Sequence, residues 1–278
     1  MENEKTDEEK DVNPKDWRKI CKDFHRVTSY DMETLATISE GRSYDNANRP
    51  ESYLSYPDAV VRIPLGEPQP PPDSPDLWSV LRQRRSKRDF LNEPLDLAEL
   101  NLLLWATQGI TGDRGDYQLR TSPSAGALYP CETYLFVQRV HGLEPGLYHL
   151  DVRGWALEAL RLAPWEEVSA EACGLALGQE HARRAGVNFL WTAVMERCTR
   201  KYHERAWRYV WWDVGHIAEN LHLAAVALGL GSVSMGAWYD KQAHEILEID
   251  GVGHFTTLMA SVGRVSGSDW RRDRRITS

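Results

Sequence analysis

The chain carries no surplus of positive charge. Its 33 Lys and Arg stand against 41 Asp and Glu, a formal net charge of −8 over 278 residues, which argues against nonspecific nucleic-acid binding. No apolar run reaches the roughly 20 residues needed to span a bilayer. The N-terminus, MENEKTDEEKDVNPKDW, is acidic and lacks the apolar h-region of a secretory signal. Cysteine is scarce: Cys21, Cys131, Cys173 and Cys198 are scattered and form no C-x-x-C pair, so neither a zinc ribbon nor a disulfide framework is indicated. These absences read as a cytoplasmic protein with reduced thiols. The GxxxxGK[ST] phosphate loop and the G-x-S-x-G elbow are missing too. GLGSVSMG has the glycines of a dinucleotide site, but here they close a helix and precede a strand. A Rossmann site needs the opposite order, because the helix N-terminus holds the pyrophosphate.

What is present is an ordinary globular balance, 42% hydrophobic and 27% charged residues, long enough for one large domain or two small ones. Residues 1 to 17 are charged and read as disordered. FHRVTSYDMETL and YPDAVVRIPL follow, then GEPQPPPDSPD, a stiff extended linker. Residues 1–73 are thus expected to wrap, as an N-terminal extension, over a main domain at 74–278. Ser74-Pro75 caps a first helix, DLWSVLRQRR. Asp96-Leu97-Ala98-Glu99 opens a second in capping-box fashion, stopping near Gly109. Strands are expected over 132–140, 146–152, 156–160, 189–198 and 255–262, with helices over 164–186 and 241–249. That order makes an α+β fold, helices packed on a mostly antiparallel sheet.

The centre of the chain is the stretch 201–238. Apolar residues at 207, 210, 211, 214, 217, 218, 221, 224, 225 and 228 follow the 3.6-residue period of a helix with a wide buried face. Gly229 and Gly231 end it, and 232–235 is β-like. Gly236-Ala237 then forms a turn small enough for backbone N–H groups to approach a flat ligand. Lys201-Tyr202 opens the same continuous element. A helix that apolar belongs in a domain core or a dimer interface.

Several stretches carry chemistry, each beside a plainer reading. Arg84-Arg85-Ser86-Lys87-Arg88 reads as a phosphate clamp, since guanidinium groups grip phosphate oxygens in pairs and serine adds a donor. A solvated basic helix end has the same composition. The loop 120–130, RTSPSAGALYP, is rich in small residues and can lie flat along a planar ligand, or simply connect two elements. His216, Glu219 and His222 sit at i,i+3 steps. The other histidines supply no matching cluster, so no metal is expected. Trp207, Trp211, Trp212 and Trp238 suit core packing or the lining of an aromatic pocket.

Taken in order, RRSKRDF, PLDLAELNLLLWATQGITG, RTSPSAGALYPCETYLFV, GLYHLD and RKYHERAWRY…GHIAENLHLAAVALGLGSVSMGAW resemble the nitroreductase superfamily. More narrowly the chain is similar to the SagB-type FMN dehydrogenases, which include azoline-to-azole oxidases of ribosomal peptide biosynthesis. The resemblance covers roughly residues 74–264 and implies an FMN-binding homodimer with the long helix at its interface. It implies that Arg84, Arg85 and Ser86 hold the FMN phosphate and ribityl chain, with Arg88 near the flavin pyrimidine. Pro123, Ser124, Ala125, Gly126 and Ala127 match the loop that reaches the flavin, typically from the partner subunit. Gly236 and Ala237 match the turn facing N5 and O4. Arg264 matches a C-terminal cation that often joins the phosphate site.

The resemblance also gives Lys201-Tyr202 a role. Azoline dehydrogenases carry a Lys-Tyr pair at this place, and desaturation needs a base for the C–H proton as hydride leaves to N5. A polar pair capping the helix is the plainer account. Three functions follow: an FMN-dependent dehydrogenase or oxidase acting on a peptide or peptide-derived natural product, with other biosynthetic enzymes as further partners; an NAD(P)H-dependent nitro or quinone reductase; or a flavin-free scaffold in a biosynthetic complex.

Overall fold

The computed structural model describes residues 17–30, 50–115 and 117–266. The acidic start expected to be disordered and the basic tail ending in WRRDRRITS lie outside the described residues.

The strands are β1 (Val61–Pro64), β2 (Leu95–Asp96), β3 (Ile110–Asp113), β4 (Gln118–Arg120), β5 (Cys131–Val137), β6 (Val140–His141), β7 (Gly146–Asp151), β8 (Ala156–Leu162), β9 (Val187–Val194), β10 (Leu230–Met235) and β11 (His254–Arg264). Seven of them form one sheet in the order β1-β8-β7-β5-β9-β11-β10, and every neighbouring pair is antiparallel. A short β2–β6 pair and the β3–β4 hairpin stand apart. The helices are α1 (Trp17–Val27), α2 (Leu77–Gln83), α3 (Leu97–Gln108), α4 (Trp165–Leu175), α5 (Glu180–Arg184), α6 (Glu196–Tyr202), α7 (Ala206–Ala227) and α8 (Asp240–Leu247).

Successive side chains of a strand point to opposite faces, and the sheet uses both. On β5 and β9, Leu135, Val137, Phe189 and Trp191 join Leu100 and Leu104 of α3 and Leu221 of α7 in one core. Their neighbours Tyr134, Phe136 and Leu190 join Val168 and Ala172 of α4 and Leu247 of α8 in the other. The central strands therefore read as unbroken apolar runs rather than alternating ones.

The expected strands and helices are present, with informative differences at their ends. The cap of α2 is Asp76 rather than Ser74: its carboxylate accepts from the N–H groups of Trp78 at 3.0 Å and Ser79 at 3.2 Å. Ser74 instead donates its hydroxyl to the Pro71 carbonyl. The helical stretch 164–186 divides into α4 and α5, because Leu177 and Gly178 both adopt positive φ between them. The strand expected to reach residue 198 stops at Val194, and α6 follows.

The largest correction concerns the long helix. Lys201 and Tyr202 end α6 and do not open α7; His203 breaks the chain between them with φ 49° and ψ −135°. The buried stripe of α7 runs through Val210, Asp213, Val214, Ile217, Ala218, Leu221, His222 and Ala225. Trp207 and Trp211, expected on that stripe, are exposed, as is Trp212.

Residues 50–66 are built into the sheet. β1 pairs along β8, the Tyr56 hydroxyl meets that of Tyr134 at 2.7 Å, and the Tyr56 N–H donates to Glu158 at 3.0 Å. Helix α1 is fastened to α7 by Arg208, which donates to the Thr28 hydroxyl at 2.7 Å and the His25 carbonyl at 2.9 Å.

Candidate functional site

The small-residue loop after β4 is held from three sides. Thr121 donates its hydroxyl to the Trp105 carbonyl on α3 at 2.9 Å. Asn220 on α7 donates to the Ser122 hydroxyl at 3.0 Å. Ser124 Oγ donates to Asp213 Oδ2 at 2.5 Å, and the Ala125 N–H donates to Asp213 Oδ1 at 3.2 Å. The loop then makes a tight 3-10 turn over Ala125–Ala127. Gly126, Ala127 and Tyr129 all have positive φ, at 63°, 53° and 46°. Two of these are not glycine, so the turn is locally strained and depends on its partners. Burial pushes the Asp213 carboxyl up, opposed by its bonds to Ser124 and Ala125. Sequence reasoning missed Asp213. Its signal was a lone acid within the apolar stripe of α7.

Lys201 and Tyr202 meet this loop at Gly126. A Cβ on Gly126 would stand 2.5 Å from the Tyr202 hydroxyl and 2.7 Å from Lys201 Nζ. Both polar tips therefore come to the one position of the loop that has no side chain. The Tyr202 ring packs edge-on against Tyr209 of α7, centroids 4.6 Å apart, and Lys201 Nζ lies 5.3 Å from the Tyr202 ring centroid.

The basic run lies further along α7. Ser86 forms an isolated bridge with Ser232, and the Lys87 N–H donates to the Ser232 carbonyl at 2.9 Å. This aligns residues 86–87 beside β10. Among the described residues Arg84 pairs only loosely, its Nε 3.9 Å from Glu219 of α7. Arg85 folds back, donating to the Arg84 and Arg82 carbonyls. Arg88 is exposed and adds to the lowered pKa of His181, which burial chiefly causes. His222 joins α7 to β10, with its ring nitrogens 2.7 Å from the Ser232 hydroxyl and 2.9 Å from that of Ser234. Burial first, then Arg84, pushes its pKa down to about 4, so it is neutral near pH 7. Both nitrogens are thereby committed to serines, while His216 and Glu219 are exposed. Among the described residues no group of three His, Cys, Asp or Glu could hold a metal ion.

Gly236 and Ala237 form an exposed turn at the end of β10, and a Cβ on Gly236 would meet nothing within 4 Å. The turn is steadied by Gln179, which donates to the Ala237 carbonyl at 3.3 Å, and by the Trp238 indole N–H on Thr256 at 3.1 Å. Pro123 is exposed at the head of the other loop. Arg264, expected to join the phosphate site, is the last residue of β11. It clamps the start of α3, donating to Glu99 at 2.7 and 2.9 Å and to the Pro94 carbonyl at 3.1 Å. Its charge is already spent on a bidentate carboxylate.

The structure thus makes two groups along one helix. Residues 123–127, Lys201, Tyr202 and Asp213 gather at the N-terminal half of α7. Arg84 and Ser86 gather near its C-terminal half, beside Glu219, His222 and β10. Fold and arrangement together define a nitroreductase-like α+β protein.

The nitroreductase family model matches residues 81–264, and the chain belongs to the nitroreductase family. It is accordingly an oxidoreductase of a family that typically binds flavin. It is 42% identical over 189 residues to MJ1384 of Methanocaldococcus jannaschii, which carries a nitroreductase name; the match spans 68% of this chain and 90% of that one. It is 34% identical over 118 residues to the trifolitoxin-processing protein TfxB of Rhizobium leguminosarum bv. trifolii, spanning 42% of this chain and 32% of that one. Among solved structures, the E. coli microcin synthetase McbBCD complex with truncated pro-MccB17 bound matches with a TM-score of 0.59 at 20% identity, over 92% of this chain and 95% of that one. At that identity the likeness speaks for the fold alone. Among the described residues no helix is long and apolar enough to cross a membrane.

Proposed function

We propose that this chain is an FMN-dependent dehydrogenase or oxidase of the SagB type that desaturates a peptide or peptide-derived natural product, as in azoline-to-azole oxidation. The observation that carries this reading is the meeting of Lys201 and Tyr202 at Gly126. An amine and a phenol converge there on a loop of the kind that reaches flavin in the family. The likeness to a toxin-processing protein supports a peptide substrate.

The residues present fit FMN. Among the described residues Arg84 holds only a loose ion pair at 3.9 Å, which leaves a cation available to phosphate. The lack of a Cβ on Gly126 lets Lys201 and Tyr202 reach the loop, and the Gly236 turn is open on its outer side. Arg84, Arg85 and Ser86 would hold the phosphate and ribityl chain, and Arg88 the pyrimidine edge. Pro123, Ser124, Ala125, Gly126, Ala127, Gly236 and Ala237 would line the ring. When bound, FMN supplies a hydride acceptor at N5. Lys201 Nζ or Tyr202 Oη takes the proton that must leave the substrate with the hydride, and its partner orients it.

The reading includes a cytoplasmic homodimer. Leu77, Trp78 and Leu81 on α2 and Trp211 and Trp212 on α7 are exposed, and two packed helices bearing so much apolar surface suit burial against a second copy. The 42% identity to MJ1384 supports a second reading, a reductase that passes electrons from NAD(P)H to nitro or quinone compounds.

The test is the visible spectrum of the purified protein, with the released chromophore identified, followed by assay on a thiazoline-containing peptide. Lys201→Ala and Tyr202→Phe are expected to abolish desaturation and keep FMN. Full activity in both variants overturns the proton roles. Turnover of nitro compounds without desaturation favours the reductase. A colourless protein that cannot be reconstituted removes the flavin chemistry.

A further inference from the structure

We infer that the pocket between the β3–β4 hairpin and the segment Ala127–Tyr129 is a second binding site, taking a carboxylate of the peptide substrate on Arg120. The identity of the ligand rests on the peptide reading above; the site itself rests on the following geometry.

Arg120 is only 6% exposed. Its guanidinium carbon lies over the rings of Tyr53 and Tyr129, 5.1 and 4.5 Å from their centroids. Nη1 donates to the Gln108 side chain at 2.9 Å, and among the described residues Nε has no partner. The buried carboxylates nearby are engaged elsewhere. Glu132 pairs with Arg197 and His149, and Glu158 and Asp151 with Arg62. Arg120 is therefore a buried cation with no carboxylate hydrogen bond among the described residues. Aromatic faces offset only part of the cost of burying a charge. Burial lowers its pKa, opposed by the more distant charge of Glu132.

The pocket it lines holds about 430 Å³, enough for a small ligand or a few residues of a peptide. Tyr117 and Arg153 stand at its rim. Glu51 and Asp113 line it too; the Asp113 oxygens accept from the Gly115 N–H at 2.7 Å and the Gln118 amide at 3.3 Å. Nε is closed off from solvent, so a carboxylate in the pocket would meet the guanidinium through Nη2, and the Nε–H of the same group would report that contact. Ala127 lines this pocket, and its neighbour Gly126 touches Lys201 and Tyr202. A carboxylate on Arg120 would thus fix the substrate chain one residue of loop away from the proposed proton-transfer pair.

The experiment follows the Nε–H signal of Arg120 in the 15N-labelled full chain. It is assigned from its loss in Arg120→Lys and from contacts to the Tyr53 and Tyr129 rings, which suffice if that variant does not fold. The probes are acetyl-glycyl-glutamyl-glycinamide, acetyl-triglycine with a free C-terminus, and acetyl-glycyl-glutaminyl-glycinamide. A saturable shift is expected with one or both acids and none with the glutaminyl amide; which acid acts tells a side-chain carboxylate from a chain terminus. Arg153→Ala, on an exposed rim residue, is expected to weaken the response severalfold and leave the ligand-free signal in place. No shift with either acid, or an equal shift with the amide, overturns the site. Because the titration needs no turnover, the two proposals fail separately. A colourless chain that gives the shift keeps the pocket, and a desaturating enzyme without it keeps only the chemistry.

Discussion

Ser124 and Asp213 lie 89 positions apart and meet in a 2.5 Å hydrogen bond that ties the small-residue loop to the long helix. The other Asp213 oxygen takes the Ala125 N–H, so one buried carboxylate sets the path of the loop into its strained turn. Asp213→Ala leaves these donors without their acceptor and is expected to cost about 1–3 kcal/mol. Denaturant unfolding measures that loss, and faster amide exchange should be confined to residues 122–129. Asp213→Asn retains an acceptor for one bond and should lose less. Equal losses in the two variants would mean that the charge, and not the bonding, holds the loop.

Gly126 has φ 63°, and a Cβ there would crowd the Tyr202 hydroxyl and Lys201 Nζ. Both are ends of long side chains that can swing aside. Gly126→Ala is therefore expected to cost stability mildly, about 1 kcal/mol for the backbone conformation, and to cost activity far more. Desaturation rate beside thermal midpoint separates the effects. A folded variant with unchanged rate would show that the pair acts from another position.

Arg84 and Arg264 should part company under substitution. Arg84→Ala is expected to weaken FMN affinity about tenfold, the loss of roughly 1.4 kcal/mol of phosphate binding, with little change in stability. Arg264→Ala strips Glu99 of a bidentate partner and should lower stability by about 1.5–3 kcal/mol, with FMN affinity kept. Flavin titration and urea unfolding of both variants read this out. Weaker FMN binding in Arg264→Ala would return that residue to the phosphate site.

The fold should lose stability in mild acid. Burial pushes both His222 and His254 down to about 4, while a histidine in the unfolded chain titrates near 6.5. The unfolded state thus takes up protons first. The contribution of each ring is fully present above about pH 6.5 and is lost as pH falls toward about 4. For His222 the loss is on the order of 3 kcal/mol. Urea midpoints measured across that window should decline, and His222→Gln, which can still bond both serines, should flatten part of the slope.

Much of this was legible along the chain. The 3.6-residue period identified the long helix because most of its apolar residues face one core, although Trp207 and Trp211 on the same period are exposed. The central strands were legible as apolar runs because the sheet is covered on both faces. Asp96 and Glu99 announced the start of α3 through a local capping pattern, and Glu99 does accept the Asp96 N–H at 2.8 Å. Local signals failed where two local choices competed. Ser74 and Asp76 are both good caps; Asp76 caps α2, while the Ser74 hydroxyl is bonded to the Pro71 carbonyl. Periodicity also could not show the break at His203, since α6 and α7 are each helical and only the angle between them brings Lys201 and Tyr202 to the loop.

By itself, then, the sequence determined the layered antiparallel fold and the family, and it holds the residues on which the proposed phosphate, flavin and proton roles rest. These rest on short-range chemistry and on patterns repeated every two or three to four positions. Tertiary structure alone decided which charges are spoken for. Arg264 is spent on Glu99, His222 on two serines, and Asp213 on a loop 89 positions away, whereas Arg120 is buried with Nε unpartnered. Such pairings depend on distance in space, which sequence spacing does not encode.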